Sequence, residues 1–370
     1  MQHILVVNAG SSSIKLAVFD QALNVLLTAE ASGIGGTGAL RVGQDRTSAE
    51  LPEHARAFGL LLNRLEAQGL GPGSFAAAGH RVVHGGALLT RPEVITPDVL
   101  QQIDQCSHLA PLHNPHNTSA IRNLMALAPG IPQVACFDTA FHATNPETAV
   151  RYAVPEDWHR GGIRRYGFHG LSYEALVRRM QETAGPSLPR RLLACHLGNG
   201  ASLCAIADGR SVATTMGYSP LEGLTMGTRA GSIDAGAVLD RAEQTSIGKV
   251  REDLLHRSGL LGLSGLSHDM RALEDAGTGA AGFAIEHFCY WAARHAGSMI
   301  AAMEGIDAIA FTGGIGENAA PVREKILERL AWTGLTDSAV HVIPADEERQ
   351  IALHTRDALS RPENTPRLGF

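Results

Sequence analysis

Asn8-Ala-Gly-Ser-Ser-Ser-Ile-Lys15 lies between two apolar runs, His3 to Val7 and Ile14 to Phe19. This arrangement predicts a hairpin whose tight loop is built from small, hydroxylated residues. Backbone N–H groups around Gly10 can approach an anion closely, the hydroxyls of Ser11, Ser12 and Ser13 can donate to phosphoryl oxygens, and Lys15 adds a positive charge. The lysine is informative because the chain holds only Lys15, Lys249 and Lys325 and otherwise uses arginine. The loop does not follow the G-x-x-x-x-G-K-[ST] pattern, and the alternation after Ser13 predicts a second strand where that pattern would open a helix. Alone, the octapeptide reads as a phosphate-handling hairpin or as an ordinary serine-rich turn.

The same design recurs at Leu192 to Asp208, Leu-Leu-Ala-Cys-His-Leu-Gly-Asn-Gly-Ala-Ser-Leu-Cys-Ala-Ile-Ala-Asp, about half a chain later. Each copy is an apolar strand, a loop with Asn, Gly and Ser, and a second apolar strand, and Asp208-Gly209 is a strong hairpin signal. Two duplicated domains, each offering a small polar loop to one nucleotide across a cleft, would account for both copies; the other reading is a chance likeness of two hairpins. Around them helical and strand signals alternate, which predicts an α/β architecture. Helices are expected over Leu60 to Leu70, Pro97 to Cys106 after Thr96, Asn117 to Ala128, Tyr173 to Thr183 with Ser172 as cap, Phe283 to Met303 and Pro321 to Leu330. Strands are expected over Ala76 to His84, Gln133 to Phe137 and Ala308 to Thr312, the last followed by Gly313-Gly-Ile-Gly-Glu-Asn318, a turn suited to a nucleotide or to structure alone.

At 370 residues the chain exceeds what one core usually fills, so two domains are expected. With 44% hydrophobic and 18% charged residues and a net charge of -6, it reads as a folded enzyme. No apolar run approaches the roughly 18 residues that span a membrane. No basic tail or stripe suggests nucleic acid. Residues 1 to 7 do not form a signal peptide, so a cytoplasmic location is expected. Cys106, Cys136, Cys195, Cys204 and Cys289 are odd in number and contain no C-x-x-C pair, as expected of reduced, structural thiols.

Four further segments join polar residues to sharp turns. Gly79-His-Arg-Val-Val-His-Gly-Gly86 places Arg81 in a strand, where a guanidinium can hold a carboxylate or phosphate bidentately. Leu109 to Asn117 fixes two histidines between prolines. Phe137 to His142 puts Asp138 at a strand end. Arg164 to Gly170 flanks Phe168 and His169 with glycines. His116 and His142 read more readily as hydrogen-bonded structural residues than as chemical groups.

Together these blocks, from residue 3 to about 350, resemble the acetate kinase family of acetate and propionate kinases, of the actin, sugar kinase and Hsp70 fold superfamily. The resemblance implies two duplicated actin-like (ribonuclease H-like) domains with mixed sheets flanked by helices and the active site in the interdomain cleft. It places the first domain at 1–147 plus about 349–370 and the second at 148–348. ATP/ADP as co-substrate would meet Lys15, Ser11 and Ser13, the loop His196, Leu197, Gly198, Asn199 and Gly200, the segment Asp269, Met270 and Arg271, and the turn Gly314, Ile315, Gly316, Glu317 and Asn318. Met270 stands where the family usually has Phe, which softens the wall near the nucleoside. Mg2+, with Mn2+ as a substitute, would be held by Asn8 and Glu347. The family's longer stretch before Val340 is trimmed here, and Glu348 is the neighbouring alternative to Glu347.

The same resemblance gives Arg81 as the carboxylate-binding residue, with Val83, Leu112, Phe168 and Pro220 as an apolar pocket for a very short acyl chain. Val83 is bulkier than the alanine of propionate-preferring relatives, which favours acetate; propionate or another short carboxylate is the alternative. Arg229 and His169 would stabilise the transferring phosphoryl group, with His113 as a further donor. Asp138 is the family's proton-handling residue. Acetate is already ionised near pH 7, however, so Asp138 is expected to orient Arg81 or metal-bound water. Relatives form homodimers through the second domain, and a homodimer is expected. A hydroxyl-directed kinase would need a polar pocket and a true base. A nucleotide-driven binding protein of the actin or Hsp70 kind would leave the paired Arg81 and Arg229 unexplained.

Overall fold

Alternation of side chains between two covered faces sets the first sheet. In β1 (His3–Ala9), Leu5, Val7 and Ala9 face one side, and in β2 (Ser13–Phe19), Ile14, Leu16 and Val18 join them in one apolar cluster. The two strands pair antiparallel, as the hairpin signal requires. The computed structural model describes residues 3–111, 113–184 and 188–361. The remaining strands of this sheet are β3 (Val25–Ser32), β4 (Gly36–Val42), β5 (Asp45–Leu51), β6 (Phe75–Val82), β7 (Glu93–Val94) and β8 (Gln133–Phe137). Their order is β5-β4-β3-β2-β1-β6-β8-β7. The helices His54–Ala67 and Asn114–Leu127 cover the face that carries Leu5, Ile14 and Ala78. The helix Glu347–Leu359 covers the other, where a Cβ on Gly79 would strike Thr355 and Ile351.

The second sheet is β11-β10-β9-β12-β13, from β9 (Arg191–Leu197), β10 (Ala201–Ala207), β11 (Arg210–Thr214), β12 (Ala308–Thr312) and β13 (Val340–Val342). Its pairings run antiparallel, antiparallel, parallel, parallel. The run β3-β2-β1-β6-β8 shows the same sequence of pairings, so the repeat seen in the hairpins extends through five strands. Helix Gly170–Ala184 packs its Tyr173, Leu176, Val177 and Met180 onto one face, and the long helix Gly279–Ala302 lies against β9 to β11.

The chain divides into two compact units, one running up to Ala140 and resuming at Asp346, the other Phe141–Ala345. These crossings fall a few residues before the boundaries expected at 147 and 348. Glu347 therefore opens the last helix of the first unit. Thr96 caps its helix through Val99 N–H, as read from the sequence. Ser172 does not cap: helix Gly170–Ala184 begins before it, and its hydroxyl lies 2.8 Å from His196 Nδ1. Asp208 and Gly209 both have positive φ, the geometry of a two-residue hairpin turn. All five cysteines are free thiols, and burial pushes those of Cys204 and Cys289 up to about 12. Among the described residues no helix is long and apolar enough to cross a membrane.

Candidate active site

Strand register gathers the first cluster. Asn8 and Lys15 are directly paired across β1 and β2, so their side chains share a face, opposite Val7 and Ile14. Arg81 alternates with Val82, which lies in the apolar cluster on the far side, and so emerges beside Asn8 on the face of helix Glu347–Leu359. Asp138 follows the last residue of β8 with the same parity as Cys136, whose thiol reaches Ile351 of that helix. Four adjacent strands thus bring Lys15, Asn8, Arg81 and Asp138 to one sheet end, at the carboxyl ends of the parallel strands β1, β6 and β8.

Arg81 Nε donates to both carboxylate oxygens of Asp138 at 3.1 Å, Nη2 donates to Oδ2 at 2.6 Å, and Nη1 reaches Asn8 Oδ1 at 3.3 Å. Burial alone would lower the guanidinium's pKa, but Asp138, Glu347 and Glu348 more than offset it and hold the group charged. Burial beside Asp138 and Glu348 raises the Glu347 carboxyl to about 7, against the opposing pull of Arg81 and Lys15. Among the described residues, no three His, Cys, Asp or Glu side chains are grouped as a metal site. Asn8 and Glu347 nevertheless supply hard oxygen donors amid accumulated negative charge, which suits a magnesium ion that takes few protein ligands and completes its octahedron with phosphate and water.

In the second unit the Gly167-Phe168-His169 kink decides the geometry. Gly167 has φ 80, and a Cβ there would come within 2.6 Å of His142 and Thr214. His142 is buried, donates through Nε2 to the Phe168 carbonyl at 2.9 Å and meets Ser211 Oγ through Nδ1 at 2.9 Å, so it holds this turn in place. His169 sits at φ 59, a region non-glycine residues rarely occupy, at a cost of about 1 to 3 kcal/mol. Its ring stacks on His196 at 4.1 Å, and its Nδ1 lies 2.9 Å from Ser202 Oγ. His196 and Ser202 are direct partners across β9 and β10, so the duplicated hairpin supplies both supports.

Arg229 converges on the same loop. A Cβ on Gly200 would lie 2.8 Å from Arg229 Nη2 and 3.2 Å from His169 Nε2, so the glycine leaves room for both side chains as they stand. Arg229 Nη1 donates to the Pro220 carbonyl at 2.7 Å. Residues 217–222 are themselves pinned, with Arg165 bonded to Glu222 at 2.7 Å and Tyr152 Oη accepting from Tyr218 N–H at 2.9 Å.

A cavity of about 380 Å³ opens between the loop Gly198 and Asn199, the segment Asp269, Met270 and Arg271, and the turn Gly314, Ile315 and Asn318. Eight of the nucleotide residues expected from the sequence therefore line one cavity, together with His268, Glu274 and Ala319. Glu317 does not line it. Its Oε1 accepts from Gly313 and Ala345 N–H groups at 3.1 and 3.0 Å, closing its own turn. Leu197 is a buried strand residue, and Gly316 is buried in the six-residue helix Gly313–Asn318. Asp269 also caps helix Met270–Ala276 through Ala272 N–H. Val83 is buried in the first unit, and Phe168 and Pro220 belong to the second. Leu112 lies outside the described residues. His113 precedes helix Asn114–Leu127, its carbonyl accepting from His116 and Asn117 N–H groups. Asn114, Asn117 and Ser202, not singled out by the sequence, bond His84, Val83 with Ala9, and His169 respectively. Each sits inside a quoted motif, and that position was the available signal.

The chain matches the model of the Acetokinase family over residues 3–358. It is 44% identical to an acetate kinase of Rhodopseudomonas palustris, over 95% of this chain and 97% of that protein. It is 40% identical to one from Halothermothrix orenii, over 95% and 98%. Among solved structures, the acetate kinase of Porphyromonas gingivalis is 35% identical, covers 97% of this chain and 100% of its own, and superposes with a TM-score of 0.89. A propionate kinase from Francisella tularensis gives 34% identity, 96% and 100% coverage and a TM-score of 0.90. Agreement in sequence over nearly the whole length, in a fold that carries the two clusters described above, establishes that the chain belongs to the acetokinase family.

Proposed function

We propose that this protein is an acetate kinase, catalysing reversible transfer of the γ-phosphoryl group of ATP to the carboxylate of acetate to give acetyl phosphate and ADP. The observation that carries this reading is the Arg81 guanidinium, held charged at the sheet end by Asp138 and beside Asn8. A carboxylate oxygen attacks the γ-phosphorus in line while the bond to the β,γ-bridging oxygen breaks, and no proton has to leave the acceptor. Asp138 is already engaged with Arg81, which favours an orienting role over that of a base. Arg229 and His169 spread positive charge over the equatorial oxygens, with His113 as a further donor. Lys15, Ser11 and Ser13 are assigned to the phosphates, and the cavity lined by Met270 to the nucleoside. Asn8 and Glu347 would hold Mg2+, which when bound neutralises charge on the phosphates.

The acyl wall includes Val83, whose bulk favours acetate; propionate is the second reading, supported by the equal likeness to a propionate kinase structure. A methylene changes discrimination by roughly 1 to 3 kcal/mol, so comparison of kcat/KM for the two acids decides between them. Incubation with ATP, acetate and hydroxylamine should yield acetohydroxamate, whereas ATP loss without hydroxamate would refute the assignment. We also propose a homodimer through the second unit, supported by Phe283 and Tyr290, which stand 58% and 52% exposed on helix Gly279–Ala302. The free thiols support a reducing, cytoplasmic location.

A further inference from the structure

The loop at residues 8–15 closes on itself through Gly10 N–H to the Ser13 carbonyl at 2.8 Å. The carbonyls of Ala9 and Gly10 are both engaged by side chains from helices. Ala9 O accepts from Asn117 Nδ2 at 2.7 Å, and Gly10 O lies 2.7 Å from His54 Nε2. A carbonyl only accepts, so Nε2 carries the proton of that bond. His54 opens helix His54–Ala67 and Asn117 stands in the first turn of Asn114–Leu127. The two supports brace each other, because the His54 ring stacks on His116 with centroids 4.5 Å apart.

Asn117 does more than hold the loop. Its Oδ1 accepts from the backbone N–H of Val83 at 3.1 Å, two residues beyond Arg81, so one buried amide joins the loop to the acyl wall. Asn114 repeats the device one residue further on, bonding both N–H and C=O of His84. We infer that His54 and Asn117 are positioning residues for phosphoryl transfer: His54 sets the loop alone, and Asn117 fixes the distance between the loop and the carboxylate site. Turning both carbonyls toward the helices leaves the Asn8 side chain and the serine hydroxyls directed by a rigid backbone, and a displacement of about 1 Å at such a site can cost on the order of 100-fold in rate.

The inference rests on the loop's assignment to the phosphates, and the experiment separates the two. His54→Ala should lower kcat at saturating substrates by about 10- to 100-fold while KM for acetate stays within about twofold. His54→Gln, whose amide can donate to Gly10 O, should recover most of that loss. Asn117→Asp, which keeps the acceptor for Val83 and removes the donor to Ala9, should lower kcat, and Asn117→Ala should in addition raise KM for acetate. Thermal unfolding checks that each variant is folded. Asn117→Ala leaves buried groups unpaired, so if it does not fold the half-exposed His54 pair decides. Wild-type kcat in His54→Ala, or a Gln variant no better than Ala, overturns the anchoring role if Asn8→Ala is inactive. Full activity in Asn8→Ala as well overturns the phosphate assignment of the loop itself.

Discussion

Asp138 meets one guanidinium through both oxygens and is almost wholly buried, which gives its substitution a specific signature. Asp138→Asn should lower kcat/KM for acetate by about 100-fold or more in steady-state assays, because the Arg81 guanidinium loses the charged partner that orients it. Unchanged kcat/KM in that variant would overturn the orienting role. Arg229→Ala should reduce turnover by about 1,000-fold with little change in thermal stability, since its side chain bonds a loop carbonyl and aims its other nitrogen at Gly200. The placement of Asn8 in a hairpin loop and of Arg81 in a strand was legible because small-residue loops and alternating strands are local patterns, while the roles proposed for them come from the family resemblance. The strain at His169 was not, because a positive φ on a histidine arises from Gly167 wedged against His142 and Thr214, which are distant in sequence.

Elements that obey local rules were read nearly to the residue. β8 (Gln133–Phe137) and β12 (Ala308–Thr312) match their expected limits, as buried apolar runs bounded by turns should. Helix beginnings were less legible: helix Gly279–Ala302 is capped by Thr278 and starts before its apolar stretch, and helix Asn114–Leu127 starts at the proline-containing motif. The Asp208-Gly209 turn provides a test confined to one element. A Cβ on Gly209 meets only Leu188 at 3.7 Å, so Gly209→Ala should cost about 1 to 2 kcal/mol from backbone strain alone and leave kcat unchanged, as urea unfolding and steady-state assays would measure.

Across the whole molecule, three buried histidines, His80, His84 and His142, are held neutral by desolvation, each with its pKa lowered to about 4. Below pH 6.5 the unfolded chain takes up protons that the folded one refuses until about pH 4. Stability should therefore be full above about pH 7 and decline between pH 6.5 and 4, by up to about 1.4 kcal/mol per pH unit for each group. Glu347, whose pKa is raised, acts in the opposite sense over part of this range but is one group against three. Urea midpoints at pH 7.5 and 5.5 would measure the difference, and a flat profile would contradict the burial argument. Light scattering should give twice the chain mass, and Tyr290→Asp should return the monomer if the aromatic face of helix Gly279–Ala302 is the contact. By itself the sequence determined the α/β class and the duplicated hairpins, because strand alternation and glycine turns are local properties. Only the tertiary structure decided that Asp138 is bound to Arg81, that Glu347 opens the last helix of the first unit and that Asn117 joins loop to strand. Those facts depend on the pairing of β1, β6 and β8 and on where the last helix returns, which no local pattern encodes.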